Sequence, residues 1–181
     1  MRILGISGSL RRDSHNTSLL RAAAMSLPPG MELELYDGLG DLPHYNADLD
    51  GEPALDSVAR LRDAIAGADG VLIATPEFNG SIPGALKNAL DWASRPFPDN
   101  ALRGKPVAVV GASTGLFGAV WAQAELRKVL AAIGARVVDR ELPGGLAADA
   151  FELDGRLADA DLELVLADLL AELTGQLAVV A

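Results

Sequence analysis

The chain alternates between short, continuous apolar runs and longer segments in which apolar residues recur every three or four positions. Continuous apolar runs cover Arg2–Ser7, Gly70–Thr75 and residues 107–110, and runs of this length predict β-strands covered on both faces. Glu32–Tyr36 instead alternates polar and apolar residues, which predicts a more exposed strand near the edge of a sheet. A short fifth strand is predicted at residues 136–138.

Five segments with helical periodicity separate and follow these strands. They cover about residues 16–26, 54–67, 83–93, 119–134 and 162–173, and Pro83 suits the first turn of its helix. Strands that alternate with helices predict an α/β fold, with a parallel sheet and helices on both faces. For 181 residues we expect a single domain, residues 1–181, with the flavodoxin-like strand order 2-1-3-4-5.

In this strand order, ligands bind beyond the carboxyl ends of the strands, where the first and third strands diverge. Three loops should therefore meet at one edge of the sheet. They are the Gly8 loop (residues 8–18), the Pro76 turn (residues 76–81) and the Gly111 loop (residues 111–115).

The Gly8 loop has the composition of an anion site. Hydroxyl and amide side chains lie at the start of the predicted helix, whose free N–H groups and dipole favour an anion, and Arg11 adds a charge-assisted contact. These polar residues are Ser9, Ser14, Asn16 and Thr17. The alternative, that Ser14 or Asn16 only caps the helix, stays open. The loop lacks both the P-loop and the G-x-G-x-x-G patterns, so a phosphate monoester is favoured.

The Pro76 turn suits a flat ring. Its backbone amides could point at ring heteroatoms, and Phe78 could pack against a planar ligand. The Gly111 loop adds Ser113, Thr114 and Gly115 at a predicted helix start. Ordinary loop chemistry explains each segment equally well when it is taken alone, so the hypothesis depends on their shared position.

Composition restricts the possible functions. The chain has no cysteine, so thiolate chemistry and Cys-ligated metals are excluded and any redox chemistry must come from a cofactor. A net charge of -10 argues against nucleic-acid partners. No apolar run reaches the roughly 18 residues of a membrane helix, and no secretion signal is evident, so we expect a cytoplasmic protein without a membrane partner. Two distant histidines predict no metal site.

Three motifs resemble the NADPH-dependent FMN reductase family, whose relatives include flavodoxin-like quinone, chromate and azo-dye reductases. They are GSLRRDSHNT (residues 8–17), PEFNGSIPGALKNALDW (76–92) and ASTGLFGA (112–119). The resemblance extends over residues 3–138. It implies a flavodoxin-like fold, one FMN per subunit, NADPH or NADH as electron donor, and a homodimer or homotetramer.

The same resemblance implies the contacts of the flavin. The residues expected at the FMN phosphate are Ser9, Arg11, Ser14, Asn16 and Thr17. Those expected at the isoalloxazine ring or ribityl chain are Pro76, Glu77, Phe78, Asn79, Ser113 and Gly115. Amides near Asn79 and Gly80 would stabilise negative charge as the flavin is reduced. Hydride would pass from nicotinamide to flavin N5 and electrons then to a small-molecule acceptor, so no catalytic side chain is assigned.

Two positions depart from the family pattern. Phe78 stands where the family usually has Tyr, which removes a hydroxyl contact. Gly118 and Ala119, with Trp121 beyond them, stand where a Gly-Gly pair followed by Arg is common. The preference between NADPH and NADH therefore stays open.

The remaining candidates have ordinary explanations beside functional ones. His15 could assist phosphate binding but is predicted to be an exposed loop histidine. Trp92 is predicted to lie in the core or at a subunit interface rather than to stack on a ligand. His44 and Tyr45 belong to a long loop, residues 37–52, that could shape a substrate entrance or simply pack. A flavodoxin-like electron carrier or flavin-binding sensor is the alternative function. Quinones, metal oxyanions, azo compounds and free flavin all remain candidate acceptors.

Overall fold

The computed structural model describes residues 1–115, 117–142 and 150–178. Within these residues, five strands alternate with five α-helices. The strands are β1 (Arg2–Ser7), β2 (Glu32–Tyr36), β3 (Gly70–Thr75), β4 (Pro106–Gly111) and β5 (Arg136–Val137). The helices are α1 (His15–Met25), α2 (Asp56–Ala66), α3 (Gly84–Ala93), α4 (Val120–Ile133) and α5 (Ala160–Ala178). Every predicted strand and helix is present.

The five strands form one parallel sheet in the order β2-β1-β3-β4-β5, which confirms the predicted flavodoxin-like topology. Ile3 of β1 lies opposite Leu33 of β2 on one side and Gly70 of β3 on the other. After β1 the chain continues to β2 at one edge of the sheet, and after β2 it returns to the other side of β1, where it forms β3. Because the two connections run in opposite directions, a crevice forms beyond the carboxyl ends of β1 and β3.

Alternate side chains of the inner strands enter two hydrophobic cores, one on each face of the sheet. Val71 and Ile73 of β3 belong to the core that includes α2, α3 and α4, whereas Leu72 and Ala74 belong to the core that includes α1 and α5. All four are fully buried, as expected of a strand covered on both faces. At the edge, β2 exposes Glu32 and partly buries its leucines, which confirms the predicted edge strand.

Helix starts differ slightly from the prediction. Pro83 precedes α3 in an extended conformation, with ψ of 143°, rather than lying in its first turn. Ala119 precedes α4 instead of belonging to it, because its φ of 64° is left-handed. The sequence also predicts a loop at residues 141–149, of which residues 143–149 lie outside the described residues.

The long loop at residues 37–52 contains two short 3-10 helices, Leu39–Asp41 and Ala47–Leu49, and is fastened to α3. The indole Nε1 of Trp92 donates to the carbonyl oxygen of Pro43 at 2.8 Å. Trp92 is fully buried within its own chain, so it is a core residue and presents no surface to a partner. None of the described helices is both long and apolar enough to cross a membrane.

Candidate functional site

The Gly8 loop, the Pro76 turn and the Gly111 loop meet at one cleft, as predicted. The cleft has a volume of about 320 Å³ and lies at the carboxyl ends of β1, β3 and β4. Its lining residues are Ser9, Arg11, Ser14, His15, Asn16, Pro76, Glu77, Phe78, Ala112, Ser113 and Thr114. The cleft thus brings together residues that are about one hundred positions apart in the sequence.

The N-terminus of α1 forms one end of the cleft, and Ser14 is its cap. The Ser14 hydroxyl oxygen accepts from the backbone amides of Asn16 and Thr17 at 3.2 and 3.4 Å. A hydroxyl that accepts two amides still carries its own proton, which it can donate into the cleft. Capping and ligand binding are therefore compatible for this residue.

Arg11 and His15 flank the cap. Arg11 is exposed, and among the described residues no carboxylate lies within salt-bridge distance of it. His15 is not the exposed loop residue that was predicted, because it is the first residue of α1, is partly buried and lines the cleft. Its ring lies parallel to that of Phe151, with centroids 6.4 Å apart.

The side chains of Asn16 and Thr17 are engaged within the protein. Asn16 is 3% exposed; its amide nitrogen donates to the Ala112 carbonyl at 3.0 Å, and its amide oxygen accepts from the Ala112 N–H at 2.9 Å. This pair joins α1 to the Gly111 loop. The Thr17 hydroxyl donates to the Ser7 hydroxyl oxygen at 3.0 Å. Asn16 therefore contributes to the cleft mainly by joining two of its walls.

The close packing around residue 8 explains why a glycine stands there. A Cβ at this position would lie 3.0 Å from a Leu86 methyl group and 3.3 Å from both the Ala74 carbonyl and Pro76. The Gly8 amide donates to that carbonyl at 2.7 Å. Glycine suits this position because the Gly8 loop packs directly on the start of the Pro76 turn, where a side chain would push these neighbours aside by a few tenths of an ångström.

The Pro76 turn closes as a tight hairpin. The amide of Phe78 donates to the Ser81 carbonyl at 3.0 Å, and the Ser81 amide donates back at 3.2 Å. Asn79 and Gly80 between them have φ of 56° and 74°, as in the type I′ turn that Asn-Gly favours. The Phe78 side chain is 57% exposed and lines the cleft.

Glu77 makes an unexpected long-range contact. Its Oε2 accepts from the backbone amides of Trp121 and Ala122, each at 3.1 Å, and these are the second and third residues of α4. They are the amides that an N-cap side chain normally serves, while Ala119 at the cap position supplies none. Glu77 thus caps a helix that begins more than forty positions later.

The Gly111 loop forms the third wall. The Ser113 hydroxyl oxygen accepts from the Gly115 amide at 3.1 Å, and Ser113 and Thr114 line the cleft. In the described part of the chain, four of the predicted site residues are not among the lining residues of the cleft. These are Thr17, Asn79, Gly80 and Gly115.

The described part of the chain also forms recesses besides this cleft, and two of them are defined by their lining residues. One, of about 280 Å³, adjoins the Gly8 loop on the β2 side and includes Thr17, Arg21 and Tyr36. Burial raises the pKa of Tyr36 there, against the lowering effect of Arg60. The other, of about 460 Å³, lies at residues 152–157 together with Glu163. It is larger than the cleft, and three of its six lining residues are acidic.

The sequence model described as NADPH-dependent FMN reductase matches residues 1–149. The chain belongs to the NADPH-dependent FMN reductase family. An NAD(P)H-dependent FMN reductase of Pseudomonas aeruginosa is 44% identical, over 88% of this chain and 85% of the relative. A quinone reductase of Escherichia coli K12 is 37% identical, over 98% of this chain and 92% of the relative.

A solved structure of a flavoenzyme is also similar to this chain. FerB from Paracoccus denitrificans, described as a flavoenzyme NAD(P)H:(acceptor) oxidoreductase, superimposes with a TM-score of 0.86 at 37% identity, covering 98% of this chain and 97% of that one. Membership in the FMN reductase family confirms the predicted enzyme class, an oxidoreductase with FMN as cofactor and NADPH or NADH as electron donor.

Sequence reasoning missed the two long-range contacts that assemble the cleft. The residue types of Asn16 and Glu77 are visible in the motifs, but their backbone partners, Ala112 and the start of α4, have no sequence signal because any residue carries the same amide and carbonyl. Only the packing of the loops identifies these partners.

Proposed function

We propose that this FMN reductase family member reduces quinones with electrons from NADPH or NADH, and that it binds FMN in the cleft formed by the three loops. The observation that supports this placement is the chemistry of the two ends of the cleft. Free cationic and hydroxyl donors lie at the α1 end, and an exposed aromatic side chain lies at the Pro76 turn.

The donors at the α1 end fit a phosphate monoester. Arg11 offers a cation that is not neutralised by a neighbouring carboxylate among the described residues, and Ser9 and Ser14 offer hydroxyl groups. The dipole of the eleven-residue helix α1 adds partial positive charge at the same point. We assign the FMN phosphate to these groups, with Asn16 and Thr17 supporting the loop that carries them.

The opposite end fits a flat ring and its polyol chain. Phe78 and Pro76 offer apolar surface, and Ser113 offers a hydroxyl group. The amides of the Asn79-Gly80 turn are assigned to ring heteroatoms or the ribityl chain, where N–H groups stabilise developing negative charge. Gly115, whose own amide donates to the Ser113 hydroxyl oxygen, is assigned to the same region through the loop that it shares with Ser113. Bound FMN supplies the chemistry, which is acceptance of hydride and onward transfer of electrons. The side chains bind and orient it.

A quinone is the proposed acceptor for two reasons. The Escherichia coli relative is named a quinone reductase, and the exposed face of Phe78 suits a planar, uncharged substrate that stacks near the ring. The cation at Arg11 is assigned to the FMN phosphate, which leaves no comparable charge on the cleft residues at the Pro76 turn to attract an oxyanion such as chromate.

We also propose that residues 1–181 form one FMN-binding domain that assembles as a homodimer or homotetramer. Phe117 and Trp121 support assembly, because they contact each other edge to face with centroids 5.2 Å apart, yet remain 58% and 52% exposed. Exposed aromatic pairs are typical of interface cores. Light scattering of the purified protein would give the subunit number, and a monomeric mass would exclude the assembly.

A cytoplasmic location remains a prediction.

The function is tested by anaerobic reduction of the FMN-loaded protein. NADPH or NADH should bleach the visible flavin absorbance, and 1,4-benzoquinone should then restore it faster than chromate or free FMN does. Bound flavin that stays oxidised with both nucleotides would exclude a reductase and favour an electron carrier. Reoxidation that is fastest with chromate would exclude a quinone as the preferred acceptor.

A further inference from the structure

We propose that Glu77 is a positioning residue whose carboxylate clamps the Pro76 turn to the N-terminus of α4, and that this clamp holds the turn in the shape that receives the flavin ring. The inference rests on the proposed placement of FMN. It assigns Glu77 a role through the backbone of α4 and not through contact of its charge with the cofactor.

The contact has the geometry of a helix cap supplied by another segment. α4 begins after Ala119, whose left-handed conformation and methyl side chain provide no side-chain cap. The Val120 amide donates to the Phe117 carbonyl at 3.2 Å, so the amides that need a distant acceptor are those of Trp121 and Ala122. Both Glu77 hydrogen bonds, to Trp121 and Ala122, are 3.1 Å long. A carboxylate at this position also interacts favourably with the helix dipole, so the contact is stronger than a neutral cap.

A second carboxylate, on α4, accepts a hydrogen bond from the residue directly after the Pro76 turn. Oε2 of Glu125, one turn into α4, accepts from the backbone amide of Ile82 at 3.4 Å. Glu77 precedes the hairpin and Ile82 follows it, so both ends of residues 78–81 are fastened to the same helix. Residues 78–80 are themselves exposed. These two attachments, together with the burial of Ile82 in the core, hold them in position relative to the cleft.

The clamp has a consequence for ligand selection. Because the dipole at the start of α4 is already matched by Glu77, that N-terminus does not offer a second anion site beside the cleft. The free donors remain at Arg11 and the start of α1. We therefore expect the phosphate to bind in one orientation only, with the ring directed to the Pro76 turn.

The test combines two measurements on Glu77→Ala, Glu77→Gln and Glu125→Ala. Amide hydrogen exchange of FMN-free protein reports the clamp itself, and fluorescence titration with FMN reports its effect on the site. Glu77→Ala should accelerate exchange at Trp121 and Ala122 and weaken FMN binding by about tenfold or more, the scale of losing charge-assisted hydrogen bonds. Glu77→Gln should slow exchange again and recover part of the affinity, because its amide oxygen still accepts but lacks the charge. Glu125→Ala should have the smaller effect, since it removes one longer bond.

Three results would overturn the proposal. The first is unchanged exchange in Glu77→Ala, which would mean that no clamp exists. The second is FMN affinity within about twofold of wild type despite faster exchange, which would separate the clamp from the cofactor site. The third is a Gln variant that restores slow exchange at both amides yet binds FMN as weakly as the Ala variant, which would show that the charge acts on the cofactor and not through the clamp.

A further variant covers the case in which Glu77→Ala does not fold. Glu77→Asp keeps the charge but is one methylene shorter, so it should show faster exchange at the two amides and weaker FMN binding; wild-type values in both would refute the clamp. Failure of the wild-type protein to bind FMN would instead refute the proposed function. The exchange data on FMN-free protein would still report whether the clamp exists.

Discussion

Two helix N-termini point toward the same edge of the sheet, and the protein uses them differently. α1 is capped locally by Ser14, which leaves Arg11 and the helix dipole available to an anion. α4 is capped by a carboxylate from a distant turn, so its dipole is already matched. The same backbone dipole therefore supports the proposed phosphate site in one case and joins the Pro76 turn to a helix in the other. The side chain that occupies the terminus decides between them.

The largest expected effect comes from removing the two hydrogen bonds between Asn16 and Ala112, which join α1 to the Gly111 loop. Asn16→Ala leaves the buried Ala112 N–H and carbonyl without their partners and should lower the free energy of unfolding by about 3 kcal/mol. Urea denaturation of FMN-free protein would measure this. Asn46→Ala, which removes an exposed side-chain cap, is the control and should cost only about 1 kcal/mol. Equal losses would mean that the Asn16 pair is no stronger than a surface cap.

The next effect tests the free charge at the α1 end. Arg11→Ala should weaken FMN binding by roughly 1.5 to 3 kcal/mol, because a charge-assisted hydrogen bond to phosphate is lost, with little change in unfolding free energy. Isothermal titration with FMN would measure the affinity. Arg12 is also exposed but does not line the cleft among the described residues, so Arg12→Ala should bind FMN nearly as wild type does. Unchanged affinity in a folded Arg11→Ala protein would contradict the phosphate assignment.

The conformation of the Pro76 turn gives a smaller effect with a well-matched control. A methyl group added at Gly80 or at Gly84 would meet open space, but only Gly80 has a positive φ. Gly80→Ala should therefore cost about 1 to 2 kcal/mol of stability, whereas Gly84→Ala in α3 should be neutral or stabilising. Thermal unfolding of the two variants would compare them. A Gly80→Ala protein as stable as the Gly84→Ala protein would argue against the left-handed turn.

The smallest expected effect concerns the Ser14 cap of α1, which is tested by stability and without reference to the charge of Arg11. Ser14→Ala removes the acceptor for two amides and should lower the unfolding free energy by about 1 kcal/mol. Ser26→Ala, at the opposite end of the same helix, loses only a 3.3 Å bond to Ala22 and should cost less. Chemical denaturation would rank them. A loss from Ser26→Ala as large as that from Ser14→Ala would show that the cap is not a special feature of the cleft end.

Much of the fold and part of the site could be predicted from the sequence. The apolar runs at β1, β3 and β4 and the alternation at β2 identify buried and edge strands, because strand burial follows a short local period. The Asn79-Gly80 pair predicts its turn because only a few residues tolerate positive φ. The motifs identify the family, which the comparisons confirm. The individual roles of the site residues remain predictions that the variants above address.

The sequence by itself determined the order of the elements, the edge at which the loops meet and the residue types available there. The tertiary structure decided which of those residues face the cleft and which hold it together. Asn16 and its partner Ala112 are 96 positions apart, and Glu77 and Trp121 are 44 apart. Local periodicity extends only a few residues along the chain, whereas these contacts depend on how sheet and helices pack. Their partners are backbone groups, which no residue type distinguishes.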